Sequence, residues 1–106
     1  MKAYKFIETA REVKPVTEIT SLLERCEQGE KLSRSEKNKI ATIFYGIFGS
    51  QFPGYRLAGW CWTLSDCLPE FIVEFTYGGF QSFRAYDKTA LRASGLSNIK
   101  RIISVK

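Results

Sequence analysis

The feature that most constrains the fold is the run EFIVEFTYGGFQSFRAY, which spans residues 70–86. Two segments rich in aromatic and β-branched residues flank the pair Gly78 and Gly79, which tolerates the positive φ of a tight type I′ turn. The pattern predicts an antiparallel hairpin in which a two-residue turn places Tyr77 opposite Phe80. The pairs that follow are Phe75 with Ser82, Val73 with Arg84 and Phe71 with Tyr86. One face of this hairpin is then mainly aromatic, whereas the other is only partly apolar.

Helical patterns precede the hairpin. A first, weakly amphipathic segment over residues 3–13 is predicted to be a helix, which ends before Pro15 because proline biases the preceding residue away from the helical region. A second helix is predicted over residues 16–28, and Gly29 supplies its left-handed C-terminal cap. The apolar residues of the second helix that recur at helical spacing are Ile19, Leu22, Leu23 and Cys26.

The clearest helical pattern is SRSEKNKIATIFYGIFG, which begins at Ser33. Ser33 and Glu36 form an S-x-x-E capping box, in which each side chain bonds to the other residue's backbone N–H. Apolar residues then recur at i, i+3, i+4, i+7 and i+8 and form one stripe. These residues are Ile40, Ile43, Phe44, Ile47 and Phe48. Gly49 is predicted to end this helix.

After the hairpin, the sequence predicts one more helix and one more strand. Asp87 is placed to cap a short helix over residues 88–94, which Gly95 closes. The chain ends in NIKRIISVK, where apolar residues alternate around Arg101 as in a strand. The alternating residues are Ile99, Ile103 and Val105.

Residues 55–68 fit both a strand and a helix. As a strand, residues 55–63 would precede the hairpin in a meander, and their aromatic and cysteine content slightly favours this interpretation. We therefore predict an α+β fold in which two or three N-terminal helices pack on a three- or four-stranded antiparallel sheet. A short helix precedes the last strand. A chain of 106 residues has the size of one domain, so residues 1–106 are assigned to a single domain.

Side chains that carry chemistry are scarce. The chain has no histidine, which excludes Cys-His and Ser-His arrangements and the commonest metal ligand. Cys61 and Cys67 are spaced unlike the ligands of structural zinc sites, and no Walker or G-x-G-x-x-G motif is present. Glu70 and Glu74 are expected to share a strand face and to be exposed. The sequence thus predicts no catalytic residue, metal or cofactor, with a carboxylate-only hydrolase as the one enzymatic alternative.

The compartment follows from what the sequence lacks. No apolar run approaches the ~20 residues of a membrane span, and the start, MKAYKFIETAREVK, has no uninterrupted apolar segment of a secretory signal. The cysteines are odd in number and irregular in spacing, unlike a disulfide framework. We therefore expect a reduced protein in the cytoplasm of a bacterial host cell.

The net charge of +5 is unevenly distributed. Residues 75–106 carry six basic side chains against Asp87 alone, whereas residues 1–30 carry a slight acidic excess. This asymmetry favours an acidic partner, either a nucleic-acid-processing protein complex or nucleic acid itself, and no membrane. A merely solvated surface is the alternative, and the oligomeric state stays open. The predicted partner-binding residues are Arg84, Lys88, Arg92, Lys100 and Arg101, with Lys31, Arg34 and Lys37 as a second group.

Two tryptophans stand in the segment LAGWCWTLSDC, over residues 57–67. Burial of an aromatic side chain contributes roughly 1.5–3 kcal/mol, so at least one of Trp60 and Trp62 is expected in the core. In the strand interpretation both lie on one face, which a small core cannot easily accommodate alongside so many phenylalanines. An exposed tryptophan beside basic residues would suit an interface or a base-stacking platform, so both residues are added to the predicted partner-binding set.

The runs IATIFYGIFGS, YRLAGWCW, CL, Y-GG and DKTALR together cover residues 40–92. In these runs the chain resembles small accessory proteins of bacterial mobile genetic elements, a group with no settled activity. In size and in its lack of catalytic groups it is also similar in type to anti-CRISPR proteins, although many of those are acidic. Together with the small size, the missing catalytic groups and the one-sided charge, the resemblance leads us to expect a non-enzymatic phage or mobile-element protein. Such a protein would inhibit or modulate a nucleic-acid-processing machine, such as a CRISPR effector nuclease, by steric occlusion. A small basic DNA- or RNA-binding regulator is the alternative.

Overall fold

The computed structural model describes residues 7–45 and 68–105. The predictions for Trp60, Trp62 and residues 55–67 lie outside these ranges. In chain order the elements are β1 (Glu8–Val13), α1 (Thr17–Glu27), α2 (Arg34–Tyr45), β2 (Glu70–Phe75), β3 (Phe80–Arg84), α3 (Lys88–Arg92) and β4 (Ile99–Val105). The strands form an antiparallel sheet in the order β1-β3-β2-β4. The predicted α+β fold is confirmed, with two N-terminal helices and a short helix before the last strand.

The first predicted helix is wrong, because residues 8–13 form the edge strand β1. Val13 lies opposite Phe80 and Thr9 opposite Phe83 in the antiparallel pairing with β3. Ala10 is buried in the core between the sheet and the helices. A weak helical pattern in so short a segment is overridden by the backbone hydrogen bonds and the burial that a neighbouring strand offers. The fourth strand of the described sheet therefore comes from the N-terminal segment.

The hairpin is confirmed, but its predicted register is wrong by three residues. The strands are joined by a three-residue loop, Thr76–Gly78, in which the Gly78 N–H donates to the Phe75 carbonyl at 2.9 Å. Gly78 has a φ of +100°, as the third residue of such a loop requires. Phe71 consequently lies opposite Phe83. The other pairs are Glu70 with Arg84, Ile72 with Ser82, Val73 with Gln81 and Glu74 with Phe80.

An odd change of register moves every side chain of one strand to the opposite face of the sheet. On one face, Ile72, Phe80 and Ile103 pack against α1 and α2. On the other face, an aromatic-rich cluster packs against Leu91 of α3. The buried members of this second cluster that lie on the strands are Phe71, Val73, Phe75, Phe83 and Ile102. The sheet is therefore covered on both faces.

Local signals in α1 are confirmed. All four predicted apolar residues are buried, and Gly29 has a φ of +88° after the helix. The Gly29 N–H donates to the Cys26 carbonyl and the Glu30 N–H to the Arg25 carbonyl, both at 3.0 Å. This pair of bonds is a Schellman motif, which satisfies carbonyls that the helix end leaves unpaired.

The capping box of α2 is also confirmed. The Ser33 N–H donates to the Glu36 carboxylate at 2.9 Å, and the Glu36 N–H donates to the Ser33 hydroxyl at 3.2 Å. The same carboxylate accepts a hydrogen bond from the Arg25 guanidinium of α1. Glu36 thus caps its own helix and ties it to the preceding one. Ile40 and Phe44 of the predicted stripe are buried.

The C-terminal elements follow the prediction with one difference. Asp87 caps α3 by accepting a hydrogen bond from the Ala90 N–H at 2.7 Å, and Gly95 has a φ of +96°. A register shift between Glu74 and Phe75 interrupts the pairing of β2 with β4. Because of this shift, Ile99 packs on the α3 side of the sheet, while Ile103 faces α1 and α2.

Among residues 7–45 and 68–105, no helix has both the length and the apolar character that a membrane span requires.

The hairpin loop yields a stability prediction. Gly78→Ala places a side chain at a φ of +100°, so we expect a loss of about 1 kcal/mol in the free energy of unfolding. Gly78→Asn is expected to lose less, because asparagine tolerates this backbone region. Urea unfolding curves of the three proteins measure both effects. Equal stabilities of the alanine and asparagine variants would contradict the assigned loop conformation.

Glu36 yields a pH prediction. The hydrogen bond from Arg25, followed by that from the Ser33 backbone, lowers the Glu36 pKa from 4.5 to about 2. Its contribution to stability is therefore complete above pH 4.5 and is lost as the pH falls toward about 2. Urea midpoints should drop more steeply over this window in the wild type than in Glu36→Gln. Parallel profiles for the two proteins would show that Glu36 has no part in acid unfolding.

Candidate functional site

A cavity of about 310 Å³ lies between the start of α2 and the adjoining ends of three strands. The described part of its wall combines cationic, amide and apolar side chains with one carboxylate. The lining residues are Arg34, Lys37, Asn38, Leu68, Pro69, Glu70, Arg84 and Val105. Three of the predicted partner-binding residues, Arg34, Lys37 and Arg84, meet here, although the sequence assigned them to two separate groups.

Backbone geometry brings these residues together. Arg34, Lys37 and Asn38 stand at i, i+3 and i+4 of α2 and therefore share one side of the helix. On the sheet, Glu70 lies directly opposite both Arg84 of β3 and Val105 of β4, so the three share the face toward α1 and α2. The helical spacing was readable in the sequence, whereas the strand pairing depended on the true hairpin register.

Glu70 and Arg84 form a largely buried pair in the cavity wall. Their side chains are only 12% and 11% exposed, and Arg84 Nη2 lies 4.0 Å from Glu70 Oε1. The Ser82 hydroxyl donates to Glu70 Oε2 at 2.7 Å, and Arg84 Nη1 donates to the Leu68 carbonyl at 3.0 Å. Burial raises the pKa of Glu70, while the positive charges of Arg84 and Lys37 and the Ser82 hydrogen bond act against this rise. Arg84 therefore serves the fold as well as the cavity.

Arg34 and Lys37 differ from Arg84 in their surroundings. Arg34 is exposed and Lys37 is half-buried. Within residues 7–45 and 68–105, no carboxylate lies within the 4.0 Å ion-pair distance of either side chain. Their charges thus face the cavity without a paired carboxylate from the described part of the chain.

Lys100 and Arg101, predicted to bind a partner, are ion-paired within the fold. Glu74 lies 3.6 Å from Lys100 Nζ and 2.6 Å from Arg101 Nε. Arg101 Nη1 also lies 2.5 Å from Glu27 of α1. These pairs connect β4 to β2 and to α1, so Arg101 in particular contributes to holding the layers together.

Lys88 and Arg92 are exposed on α3, one helical turn apart. No carboxylate in the described ranges forms an ion pair with either of them. Leu91 of the same helix packs into the cluster on the sheet face opposite α1 and α2. The structure therefore separates Lys88 and Arg92 from Arg84, and the first predicted group does not form one surface. Lys31, from the second group, is exposed ahead of α2.

The expectation that Glu70 and Glu74 share a strand face is confirmed, but their predicted exposure is wrong. Their side chains are 12% and 14% exposed. Both face the layer formed by α1 and α2, where Arg84 and Arg101 offset the cost of removing their charges from water. Among the described residues, no group of three acidic or cysteine side chains is placed to hold a metal ion.

Comparisons of this chain with family models, with curated proteins and with solved structures find no match. The resemblance to small accessory proteins of mobile elements therefore stays a prediction.

The buried carboxylate yields a third prediction. Because burial raises the Glu70 pKa, the ionised form opposes folding as the pH rises through that pKa. Glu70→Gln keeps the shape of the side chain and an acceptor for the Ser82 hydroxyl. We expect the stability of this variant relative to the wild type to increase as the pH rises from acidic to neutral, because only the wild type then carries the ionised carboxylate. Urea unfolding at several pH values between pH 4 and pH 7 measures the stability difference between the variant and the wild type. A difference that moves in favour of the wild type as the pH rises would contradict the prediction.

Proposed function

We propose that this protein is a non-enzymatic binding protein of a bacterial mobile element that works in the cytoplasm of the host cell. It inhibits or modulates a nucleic-acid-processing machine by covering a surface which that machine needs, as anti-CRISPR proteins do with CRISPR effector nucleases. The observation that carries the proposal is the exposed positive charge that remains after ion pairing within the fold. An acidic surface on the partner complements that charge.

The described carboxylates are mostly engaged within the fold. Those within ion-pair distance of an arginine or lysine are Glu18, Glu27, Glu30, Glu36, Glu70 and Glu74. Besides Arg11, which donates to the Ile43 carbonyl, the described basic side chains outside these pairs are Lys14, Lys31, Arg34, Lys37, Lys88 and Arg92. The charge available for binding is therefore predominantly positive in the described residues.

We assign the partner contact to the α3 surface, defined here as Tyr86, Lys88 and Arg92. Tyr86 is 47% exposed, and it directly precedes the capping residue Asp87. The Asp87 cap stabilises the start of the short helix, and the packing of Leu91 fixes the helix to the sheet, so its side chains lie on a preformed support. A preformed surface binds with a smaller loss of conformational entropy than a flexible one. Trp60 and Trp62 stay predictions for the same interface.

Direct nucleic-acid binding is the second candidate function. The observation in its favour is that Tyr86 and Lys88, two residues apart in the sequence, are both exposed, since an aromatic ring and a cation on one surface suit base stacking and phosphate contact. This alternative predicts affinity for nucleic acid alone that falls steeply with salt concentration.

The partner experiment uses capture from a host that carries a CRISPR system. We expect tagged protein to retain a nuclease subunit and to reduce target cleavage. The variant Lys88→Ala with Arg92→Ala should lower the affinity by about tenfold or more, because it removes both positive charges of the α3 surface. A matched control, Lys14→Ala with Lys39→Ala, removes the same charge elsewhere and should bind as the wild type does.

A titration with labelled single- and double-stranded DNA and RNA separates the two candidates. Binding weaker than about 100 μM at moderate salt, together with capture of the nuclease, supports the protein target. Tight and salt-dependent binding to nucleic acid, lost in the Lys88 and Arg92 variant, would favour the regulator instead. Undiminished cleavage with no captured subunit would overturn the leading proposal.

A further inference from the structure

The cavity between α2 and the sheet has a charge pattern that favours an anionic ligand. Among the described residues, Arg34, Lys37 and Arg84 line it together with one carboxylate, that of Glu70. Its concave, partly apolar walls concentrate the electric field of these cations more strongly than a flat surface does. Arginine and lysine together are typical of phosphate sites, because the guanidinium forms paired hydrogen bonds and the ammonium acts as a point charge.

The rest of the lining indicates more than a phosphate group. Leu68, Pro69 and Val105 contribute apolar surface, which an inorganic ion would leave unused. The volume of about 310 Å³ stands at the lower end of small-molecule pockets, which span roughly 300–1,000 Å³. A ligand of this size that carries both an anionic group and a flat apolar group would fill the cavity.

Glu70 specifies a hydrogen-bond donor on that ligand. Its carboxylate accepts one bond from Ser82 and lies 4.0 Å from the Arg84 guanidinium, whereas a carboxylate offers about four acceptor sites. Asn38 supplies an amide on the adjacent wall. The Glu70 carboxylate can therefore accept further hydrogen bonds. A base edge with two neighbouring N–H groups, such as that of guanine, would donate them.

From this arrangement we infer that the cavity is a binding site for a nucleoside monophosphate. Arg34 and Lys37 hold the phosphate, the apolar wall contacts the base, and Glu70 accepts the N–H groups of the base edge. The nucleotide is either free or the 5′-phosphorylated end of a strand, since both present the same groups. This site lies on the sheet face opposite the α3 surface and does not depend on the proposed partner.

Calorimetric titration of the full chain tests the inference with guanosine 5′-monophosphate as the probe. Ribose 5-phosphate lacks the base, and guanosine lacks the phosphate, so both are expected to bind at least about tenfold more weakly than the nucleotide. A short oligonucleotide that begins with a 5′-phosphorylated guanosine, compared with its 5′-hydroxyl form, distinguishes a strand end from a free nucleotide. Preference for either source supports the site.

Two variants assign the contacts. Arg34→Ala with Lys37→Ala should weaken nucleotide binding by about tenfold or more, whereas the charge-matched control Lys14→Ala with Lys39→Ala should leave it unchanged. Glu70→Gln removes one acceptor and one negative charge. It should weaken binding of the nucleotide while leaving ribose 5-phosphate binding equal or stronger, a divergence that a purely structural role would not produce.

Circular dichroism and urea curves establish that each variant is folded before titration. If none of the phosphate ligands binds at concentrations up to about 1 mM, the inference is overturned. Equal binding of ribose 5-phosphate and the nucleotide, or equal loss in the control variant, would overturn it as well. Partner capture tests Lys88 and Arg92, whereas nucleotide binding tests the cavity. Failure of one experiment therefore does not imply failure of the other.

Discussion

Burial of β2 on both faces is the constraint on which the other elements depend. Ile72 and Val73 are adjacent in sequence, point to opposite faces and have no exposed surface. A strand of this kind cannot sit in a two-layer structure with one face in water, because either face would then expose large apolar side chains. The α1 and α2 layer covers the Ile72 face, and α3 with the segment around it covers the Val73 face.

Two buried carboxylates, one near each end of β2 on the Ile72 face, determine where two of the arginines lie. Glu70 and Glu74 lie at opposite ends of β2 on this face, and both are largely buried. Carboxylates in such positions need cationic or hydrogen-bonding partners, since an unpaired buried charge costs several kcal/mol. Arg84 meets the first carboxylate and Arg101 meets the second. Because both arginines pair with these carboxylates, their charges contribute less to the exposed basic surface.

Much of the local structure could be predicted from the sequence, because its determinants lie within a few residues of one another. The Ser33 capping box, the Asp87 cap and the glycine after α1 are interactions of this kind, and each is present in the structure. The edge strand β1 could not be predicted so directly. Its structure depends on pairing with β3, about seventy residues away, and such a partner leaves no local trace in a short segment.

The cavity was missed for a related reason, which concerns the hairpin loop. Under the two-residue turn inferred from Gly78 and Gly79, Arg84 lies opposite Val73 and would face α3, beside Lys88 and Arg92. The observed three-residue loop pairs Arg84 with Glu70 and turns its side chain toward Arg34 and Lys37 on the other face. Because strand side chains alternate with a period of two, any odd register error moves a residue to the wrong layer. The conformation of one glycine, with its φ of +100°, therefore determines whether Arg84 lies on the same face of the sheet as Arg34 and Lys37 or on the α3 face.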